Sequence, residues 1–165
     1  MIEVTLALSV LLVALVAMSS STMRMHSLRR QNREQNVAQN AVRTVGEELQ
    51  SLSGSCASAP GGWSASFLAG VAAGGSIGPT FDVTELTPQD GQPTVGRITV
   101  ITDETATDAE LGFELGMPRD LDGDGVVGNT DVSATARIFP VVLELRWKGS
   151  SGDQRLVHPF YVMGY

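Results

Sequence analysis

The sequence is poor in cysteine and lysine. Among its 165 residues it has a single cysteine, Cys56, so no intramolecular disulfide can form. We interpret Cys56 as an incidental residue in a loop rich in serine and glycine, and an intermolecular bridge or a reactive thiol is the alternative. A chain of this length can build little more than one small α+β head beside a long helix.

Sequence motifs of common enzymes are also absent. The chain contains no G-x-S-x-G, no phosphate-binding Walker loop, no H-E-x-x-H and no C-x-x-C. His26 and His158 are interpreted as structural or solvated residues, and Trp63 and Trp147 as packing residues. We therefore expect no enzymatic activity. The net charge of -7 and the pI of about 4.7 argue against a nucleic-acid partner.

A dense apolar block opens the chain. Residues 1–18 read MIEVTLALSVLLVALVAM and carry one charged side chain, that of Glu3. This length is at the short end of the roughly 17 to 25 residues with which a helix crosses a bilayer. The block has neither the basic first region nor the A-x-A site of a secretory signal peptide. We predict a transmembrane helix segment over residues 1–18.

The helix is expected to continue beyond the membrane as an amphipathic segment, residues 19–53. This segment is rich in Arg, Gln, Glu and Ala, which favour helix. Most of its apolar positions recur at spacings of three and four, which predicts a narrow stripe on one helix face. The stripe consists of Leu28, Val37, Ala41, Val45, Glu48, Leu49 and Leu52. Gly54 is a stop signal, so one continuous helix over about residues 2–52 is predicted.

The rest of the chain, residues 54–165, is predicted to form a β-rich head. Residues 53–78 are rich in glycine and poor in charge, which indicates a loop with a short helical turn at 67–72. Strand-like runs separated by turn residues come next. These runs are residues 80–86, 96–102 and 111–115, and the acidic stretch 103–110 is expected to be a loop.

The last part of the chain predicts a β-hairpin. Residues 136–148 are rich in β-branched and aromatic residues, residues 149–152 supply a Gly-Ser-Ser-Gly turn, and residues 155–163 return. Pro140 and Pro159 indicate strand starts, bulges or a sheet edge. The expected fold class is α+β, with a long N-terminal helix packed on a small C-terminal antiparallel sheet and the first third of that helix in the membrane.

An acidic segment, residues 120–131, precedes this hairpin and reads DLDGDGVVGNTD. Carboxylates at its positions one, three and five, a glycine at six and an acid at twelve resemble the calcium loops of EF-hands and dockerins. Val127 occupies the usual apolar eighth position. The expected ligands are Asp120, Asp122, Asp124, the carbonyl of Val126, a water at Gly128, and Asp131. We predict a structural Ca²⁺ site, and the alternative is an Asp/Gly-rich turn without an ion.

A glutamate inside an apolar membrane segment needs an explanation, because an unpaired carboxylate is costly in lipid. The sequence IEV at residues 2–4, LAL at 6–8 and the apolar run at 10–17 resemble the N-terminal signature of type IV pilins and type II secretion pseudopilins. That resemblance implies that Glu3 pairs with the N-terminal amine of a neighbouring subunit during assembly. The alternative is an interfacial glutamate wetted by lipid headgroups.

The resemblance extends along most of the chain, since a long helix, a Gly/Ser-rich connection and a terminal antiparallel hairpin match pilin-like architecture. It implies a minor pilin or pseudopilin, processed and N-methylated by a prepilin peptidase. Such a subunit crosses the bacterial inner membrane once, keeps its head in the periplasm, and joins other subunits in a type IV pilus or a type II secretion-like filament. The stripe is expected mostly to cover the chain's own sheet, leaving residues before about Met25 for those neighbours.

Two features depart from the family pattern. Glu3 stands about two residues closer to the first residue than the family's glutamate does, without the family's leader ending in glycine before it. We expect either that translation starts further upstream or that the segment is an uncleaved anchor. The arginines that follow the apolar run are Arg24, Arg29, Arg30 and Arg33, and the positive-inside rule favours the cytoplasm for them. The alternative function is a solitary membrane-anchored calcium-binding envelope protein, and the third is a hydrolase that uses the metal of the loop.

Overall fold

The computed structural model describes residues 2–164, and Met1 and Tyr165 lie outside the described residues. The elements are α1 (Ile2–Cys56), α2 (Trp63–Val71), β1 (Thr80–Phe81), β2 (Gly96–Val100), α3 (Asp108–Leu111), β3 (Ile138–Gly149) and β4 (Gly152–Met163). The strands form an antiparallel sheet in the order β1-β2-β3-β4, and α1 packs against it. The predicted α+β class is confirmed.

The first helix is continuous, as predicted, and at ~1.5 Å per residue its 55 residues measure about 82 Å. Gly54 was expected to end it, but α1 continues to Cys56. One glycine costs a helix only about 1 kcal/mol, and the last turn buries Ser53 and Cys56 against the head. Cys56 is therefore a core residue at the end of a helix, and the interpretation of it as a loop residue is wrong.

The second half of α1 supplies one wall of the core. Its buried residues are Ala38, Val42, Val45, Leu49, Ser53 and Cys56. Of the predicted stripe, Val45 and Leu49 are buried; Val37, Ala41 and Leu52 are partly buried and pack against the same core. Leu28 is exposed because it precedes the head, and Glu48 is exposed on the outer side of the helix. The expectation that the stripe covers its own sheet is confirmed from Val37 onward.

Polar contacts hold α1 against the head at two levels. Near the bottom, the Glu34 carboxylate accepts hydrogen bonds from the backbone N–H and the hydroxyl of Ser150 in the β3–β4 turn. Near the top, the buried hydroxyl of Ser53 donates to the Met163 carbonyl at 2.8 Å and accepts from the Trp63 indole N–H at 2.9 Å. The helix is thus fixed to both ends of the hairpin.

The predicted hairpin is confirmed. β3 and β4 pair over their whole length, from Ile138 opposite Met163 to Gly149 opposite Gly152. The face of β3 turned toward the helices is buried and consists of Phe139, Val141, Leu143, Leu145 and Trp147. Phe139 stacks on Trp63 and on Phe67 of α2, with ring centroids 5.2 and 5.8 Å apart. Trp63 and Trp147 are packing residues, as predicted.

Both prolines of the hairpin lie where the sheet tolerates a missing N–H donor. Pro159 is in β4, an edge strand of the sheet. Pro140 lies one residue outside the last pair between β2 and β3, which joins Val100 to Val141. The sequence expectation of a sheet edge therefore holds for Pro159.

Of the three other predicted strands, the one at residues 80–86 is only partly correct and the one at 111–115 is wrong. The run 80–86 pairs only at Thr80–Phe81, because the chain then leaves the sheet and the Asp82 carboxylate accepts from the Val95 N–H at 3.2 Å. β2 is confirmed at Gly96–Val100, and Gly96 is required because a Cβ there would lie 2.3 Å from the Phe81 ring. The run 111–115 forms no strand.

The stretch 103–110 is not simply a loop, since it leads into α3. Thr107 caps this short helix by accepting from the Glu110 N–H, while the Glu110 carboxylate accepts from the Thr107 N–H. This reciprocal pair is a capping box. Gly112 ends the helix with a φ of 77°. The helical turn expected at 67–72 is confirmed as α2, which begins earlier, at Trp63.

Candidate assembly helix and candidate metal centre

The first half of α1 extends away from the head and exposes its apolar side chains. Each of the large ones from Leu8 to Leu28 is at least half exposed: Leu8, Val10, Leu11, Leu12, Val13, Leu15, Val16, Met18, Met23, Met25 and Leu28. A helix that exposes apolar residues on every side is suited to lipid or to packing between helices. By length and composition, the part of α1 from Ala7 onward can cross a membrane.

Glu3 lies in the first turn of α1 and is exposed. Twenty uncharged residues, 4–23, separate it from Arg24, a rise of about 30 Å that equals the thickness of a bilayer's hydrocarbon core. The side chains of Ile2, Val4 and Leu6, which belong to the pilin-like signature, lie outside the described residues, as does Met1. The pairing of Glu3 with a neighbouring amine stays a prediction.

The acidic loop is built by its own carboxylates. Asp120 accepts from the N–H groups of Gly123 (2.6 Å) and Gly125 (2.9 Å), so its two oxygens fix the turn at both glycines. Gly125, at loop position six, has a φ of 88°, a conformation that favours glycine. Asp122 and Asp124 repeat the pattern on a smaller scale, because each accepts from the N–H two residues further on.

Glu104 is the residue that fixes this loop to the head, and no sequence motif indicates this role. Its side chain is fully buried. One carboxylate oxygen accepts from the N–H groups of Leu121 (2.7 Å) and Asp122 (3.2 Å), at the start of the loop. The other accepts from Asn129 (3.2 Å) and Gly128 (3.5 Å), near its end. A single carboxylate therefore ties both arms of the loop together.

The backbone of Glu104 reinforces these contacts. Its N–H donates to the Asn129 carbonyl at 3.0 Å and its carbonyl accepts from the Arg119 N–H at 3.1 Å. Burial alone raises the pKa of the Glu104 carboxyl, but the four backbone N–H donors together hold that pKa below its ordinary value. The group is ionised at neutral pH and supplies a buried negative charge beside the loop.

Three carboxylates converge at one point. An oxygen from each of Glu104, Asp120 and Asp122 lies within 4.8 Å of the other two. Carboxylate oxygens are the ligands that Ca²⁺ and other hard cations take. The structure thus brings together two of the residues in the predicted ligand set and adds Glu104, which lies outside the loop sequence.

The remaining predicted ligands are not part of this group. Asp124 accepts from the Val126 N–H at 2.7 Å, and Asp131 accepts from the Ser133 N–H at 2.9 Å. Gly128 is exposed, and its N–H points to Glu104. Val127 is 46% exposed, so its apolar side chain at the eighth position is not buried. Ligand roles for Asp124, Val126, Gly128 and Asp131 stay predictions.

The acidic group has no basic partner among residues 2–164. Lys and Arg form no ion pair there with Glu104 or with any carboxylate of the loop. Arg119 lies over the Tyr161 ring instead, 5.0 Å from its centroid. Backbone hydrogen bonds lower the pKa values of Asp120 and Asp131 below the ordinary range, so these groups are ionised at neutral pH. The arrangement can hold a hard divalent cation.

Neither histidine joins this group. His158 is exposed on β4 with its ring beside that of Phe160, and His26 is exposed on the projecting part of α1. The comparisons with known proteins give no further guide to these two sites. No protein-family model, no curated protein and no solved structure matches this chain.

Proposed function

We propose that this chain is a minor pilin or pseudopilin, a subunit that assembles through its N-terminal helix into a type IV pilus or a type II secretion-like filament. The observation that carries the proposal is the division of α1. Its second half is built into the head, from Ala38 to Cys56, while its first half exposes apolar residues on every side. Membrane and neighbouring helices are the two environments that such a surface can occupy.

Glu3 is proposed to act in assembly. Removing an amine and a carboxylate from water is unfavourable unless they pair. A subunit whose Glu3 meets the N-terminal amine of a neighbour is therefore preferred over one in which the carboxylate stays unpaired at the edge of the hydrocarbon core. In this account the subunit first resides in the bacterial inner membrane with its head in the periplasm. A prepilin peptidase then processes it before it joins other subunits.

The test compares Glu3→Ala with Glu48→Ala, an exposed glutamate on the same helix. In the native host we expect both variants in the membrane fraction, but only Glu48→Ala and the wild type in filaments. A methylated N-terminal amine close to Glu3, found by N-terminal sequencing and intact mass, is expected for the wild type. Normal filaments from Glu3→Ala would refute the pairing, and a wild-type protein that never leaves the membrane would refute assembly.

A structural Ca²⁺ in the acidic loop is part of the same proposal. What supports it is the convergence of Glu104, Asp120 and Asp122 without a basic partner among the described residues. Like charges this close repel, and a divalent cation removes the repulsion. The ion would hold the loop against the sheet and supply no reaction chemistry.

The same loop favours a second candidate, a solitary membrane-anchored calcium-binding envelope protein. Both candidates predict membrane insertion and calcium binding, so these two measurements do not separate them. Site-specific crosslinking does, since only a filament subunit gives a ladder of oligomers when a photo-crosslinker replaces Val13 or Val16 in the exposed helix. Crosslinks from the protein to lipid alone, with no crosslinked oligomer, would favour the solitary protein.

A further inference from the structure

Charge is distributed along α1 in a way that matches the layers of a membrane. The uncharged residues 4–23 rise about 30 Å, so Arg24 falls at the edge of the hydrocarbon core when this segment spans it. Arg29 follows about 8 Å further along the helix. The polar headgroup region is about 5 to 8 Å deep on each side, which places both guanidinium groups at the level of lipid phosphates.

The arginines of this region differ in their partners. Arg30 pairs with Glu34 at 3.2 Å, and Arg33 pairs with Glu85 of the head at 2.8 Å. Arg24 and Arg29 form no ion pair with any of residues 2–164. These two, which we call the free arginine pair, are the cations closest to the apolar segment. Of the four arginines between Arg24 and Arg33, they are the two without an ion pair to a described residue.

The remainder of the molecule has the opposite charge. Residues 34–165 hold 17 acidic and seven basic residues, whereas residues 1–33 hold four arginines and one glutamate. An anionic membrane surface repels the head and attracts the base of the projecting helix, and both effects act within about one Debye length, ~10 Å. The head first contacts α1 at Arg33 and Glu34, about 14 Å beyond Arg24.

We propose that the free arginine pair, Arg24 and Arg29, binds the phosphate groups of anionic phospholipids. A guanidinium presents two parallel N–H donors to a phosphate, which suits it to this ligand. The contact sets the depth of α1 in the bilayer and keeps the acidic head off the surface. This inference rests on the membrane anchoring in the proposed function and is independent of filament assembly.

The experiment uses the full chain in lipid nanodiscs that contain spin-labelled phosphatidylglycerol or phosphatidylcholine. The measured quantity is the relative association constant of the two labelled lipids at the protein surface. We expect a preference of about fivefold for phosphatidylglycerol, the factor that one arginine near a charged surface supplies, and a fall toward one at high salt. Arg24→Gln/Arg29→Gln should abolish it, and Arg24→Lys/Arg29→Lys should retain most of it.

Arg43→Gln is the matched control, because Arg43 is also exposed on α1 but lies about 28 Å beyond Arg24. Equal association of the two lipids with the wild type would overturn the proposal. The proposal would also be overturned if the preference for phosphatidylglycerol survived in Arg24→Gln/Arg29→Gln or disappeared in Arg43→Gln. A chain that inserts but shows no preference contradicts this inference alone, whereas a chain that does not enter the nanodisc contradicts the membrane anchoring as well.

Discussion

Glu34 on the helix and Ser150 in the β3–β4 turn, 116 residues apart in sequence, are joined by two hydrogen bonds to the same carboxylate oxygen. Oε2 of Glu34 accepts from the Ser150 N–H at 3.0 Å and from its hydroxyl at 3.3 Å, while Oε1 pairs with Arg30. The Glu34 side chain is only 14% exposed. The tip of the hairpin is therefore fixed to the level of the helix at which the head begins.

Glu34→Ala should destabilise the head by about 1 to 2 kcal/mol, because it leaves the Ser150 donors without their charged acceptor. Trp63 and Trp147 both lie in the head, so tryptophan fluorescence during denaturation reports its unfolding. Glu47→Ala is the control, since Glu47 is an exposed glutamate whose ion pair with Arg43 lies within the helix. It should cost about 0.5 kcal/mol or less. Equal losses for the two variants would contradict the role given to Glu34.

Ser53→Ala should cost about 2 kcal/mol. The change removes the acceptor of the Trp63 indole N–H and the donor to the Met163 carbonyl, and an unpaired polar group in a buried position costs about 1 to 3 kcal/mol. Ser55→Ala is the control, because the Ser55 hydroxyl is exposed and bonds only to the Leu52 carbonyl of its own helix. A Trp63 emission spectrum that is identical in Ser53→Ala and wild type would refute the contact.

Glu104→Gln should destabilise the head by about 3 kcal/mol. The amide oxygen of glutamine can accept from one arm of the loop, but its NH₂ group then faces the Gly128 and Asn129 donors, so two charge-assisted hydrogen bonds are lost. Glu114→Gln, at an exposed position, should change stability little. Denaturant unfolding measures both, in chelator to exclude any contribution of a metal. A Glu104→Gln variant as stable as Glu114→Gln would show that the carboxylate does not hold the loop.

Stability of the metal-free head should fall in acid. Glu104, Asp108 and Asp120 have pKa values below their ordinary range when folded, so the unfolded chain binds protons more readily as the pH drops. Their contribution is fully present above the unfolded carboxyl pKa values, about 3.9 to 4.3, and is lost as the pH falls through the lower folded values. Melting temperatures from pH 7 to pH 3 should decline below about pH 5, less steeply in Glu104→Gln. A rise on acidification would contradict this.

Calcium should raise the melting temperature of the head, and chelator should reverse the rise. At a concentration 100 times the dissociation constant a ligand contributes about 2.7 kcal/mol. Asp120→Asn should abolish the calcium-dependent increment, whatever its effect without metal, because Asp120 contributes both to the converging group and to the turn. Asp153→Asn, in an exposed position of β4, should keep the full increment. Identical melting curves in calcium and chelator for the wild type would refute the site.

The long helix and the terminal hairpin could be predicted because their signals are local and repeated many times. Helix-forming residues and three- and four-residue spacings run through 19–53, and β-branched residues on both sides of a Gly-Ser-Ser-Gly turn define the hairpin. Short runs of residues repeat such a signal only once or twice, so they predict their structure less reliably. The alternating residues 111–115 form no strand, because Leu111 belongs to α3 and Gly112 ends that helix. The capping box of Thr107 and Glu110 is a sequence signal that could have predicted α3.

The candidate metal centre was only partly predictable. The spacing of Asp120, Asp122 and Gly125 follows from the need of a tight loop to direct alternate side chains to one point, and both of these carboxylates converge in the structure. Glu104 stands 16 residues before the loop, and no local pattern distinguishes it from the other acids of 103–110. Its role depends on which backbone N–H groups the folded chain leaves without a partner, and only the tertiary structure determines that.

The two attachment points of α1 also determine how the head responds to force. Glu34 holds the turn end of the hairpin and Ser53 holds its open end, 19 residues or about 28 Å apart along the helix. Tension applied to the projecting end of α1 therefore enters the head parallel to β3 and β4. Such a load shears the interface between α1 and the head, so that the polar contacts at Glu34 and Ser53 and the apolar packing between them are loaded together. The attachment of α1 to both ends of the hairpin therefore resists extraction of the helix from the head.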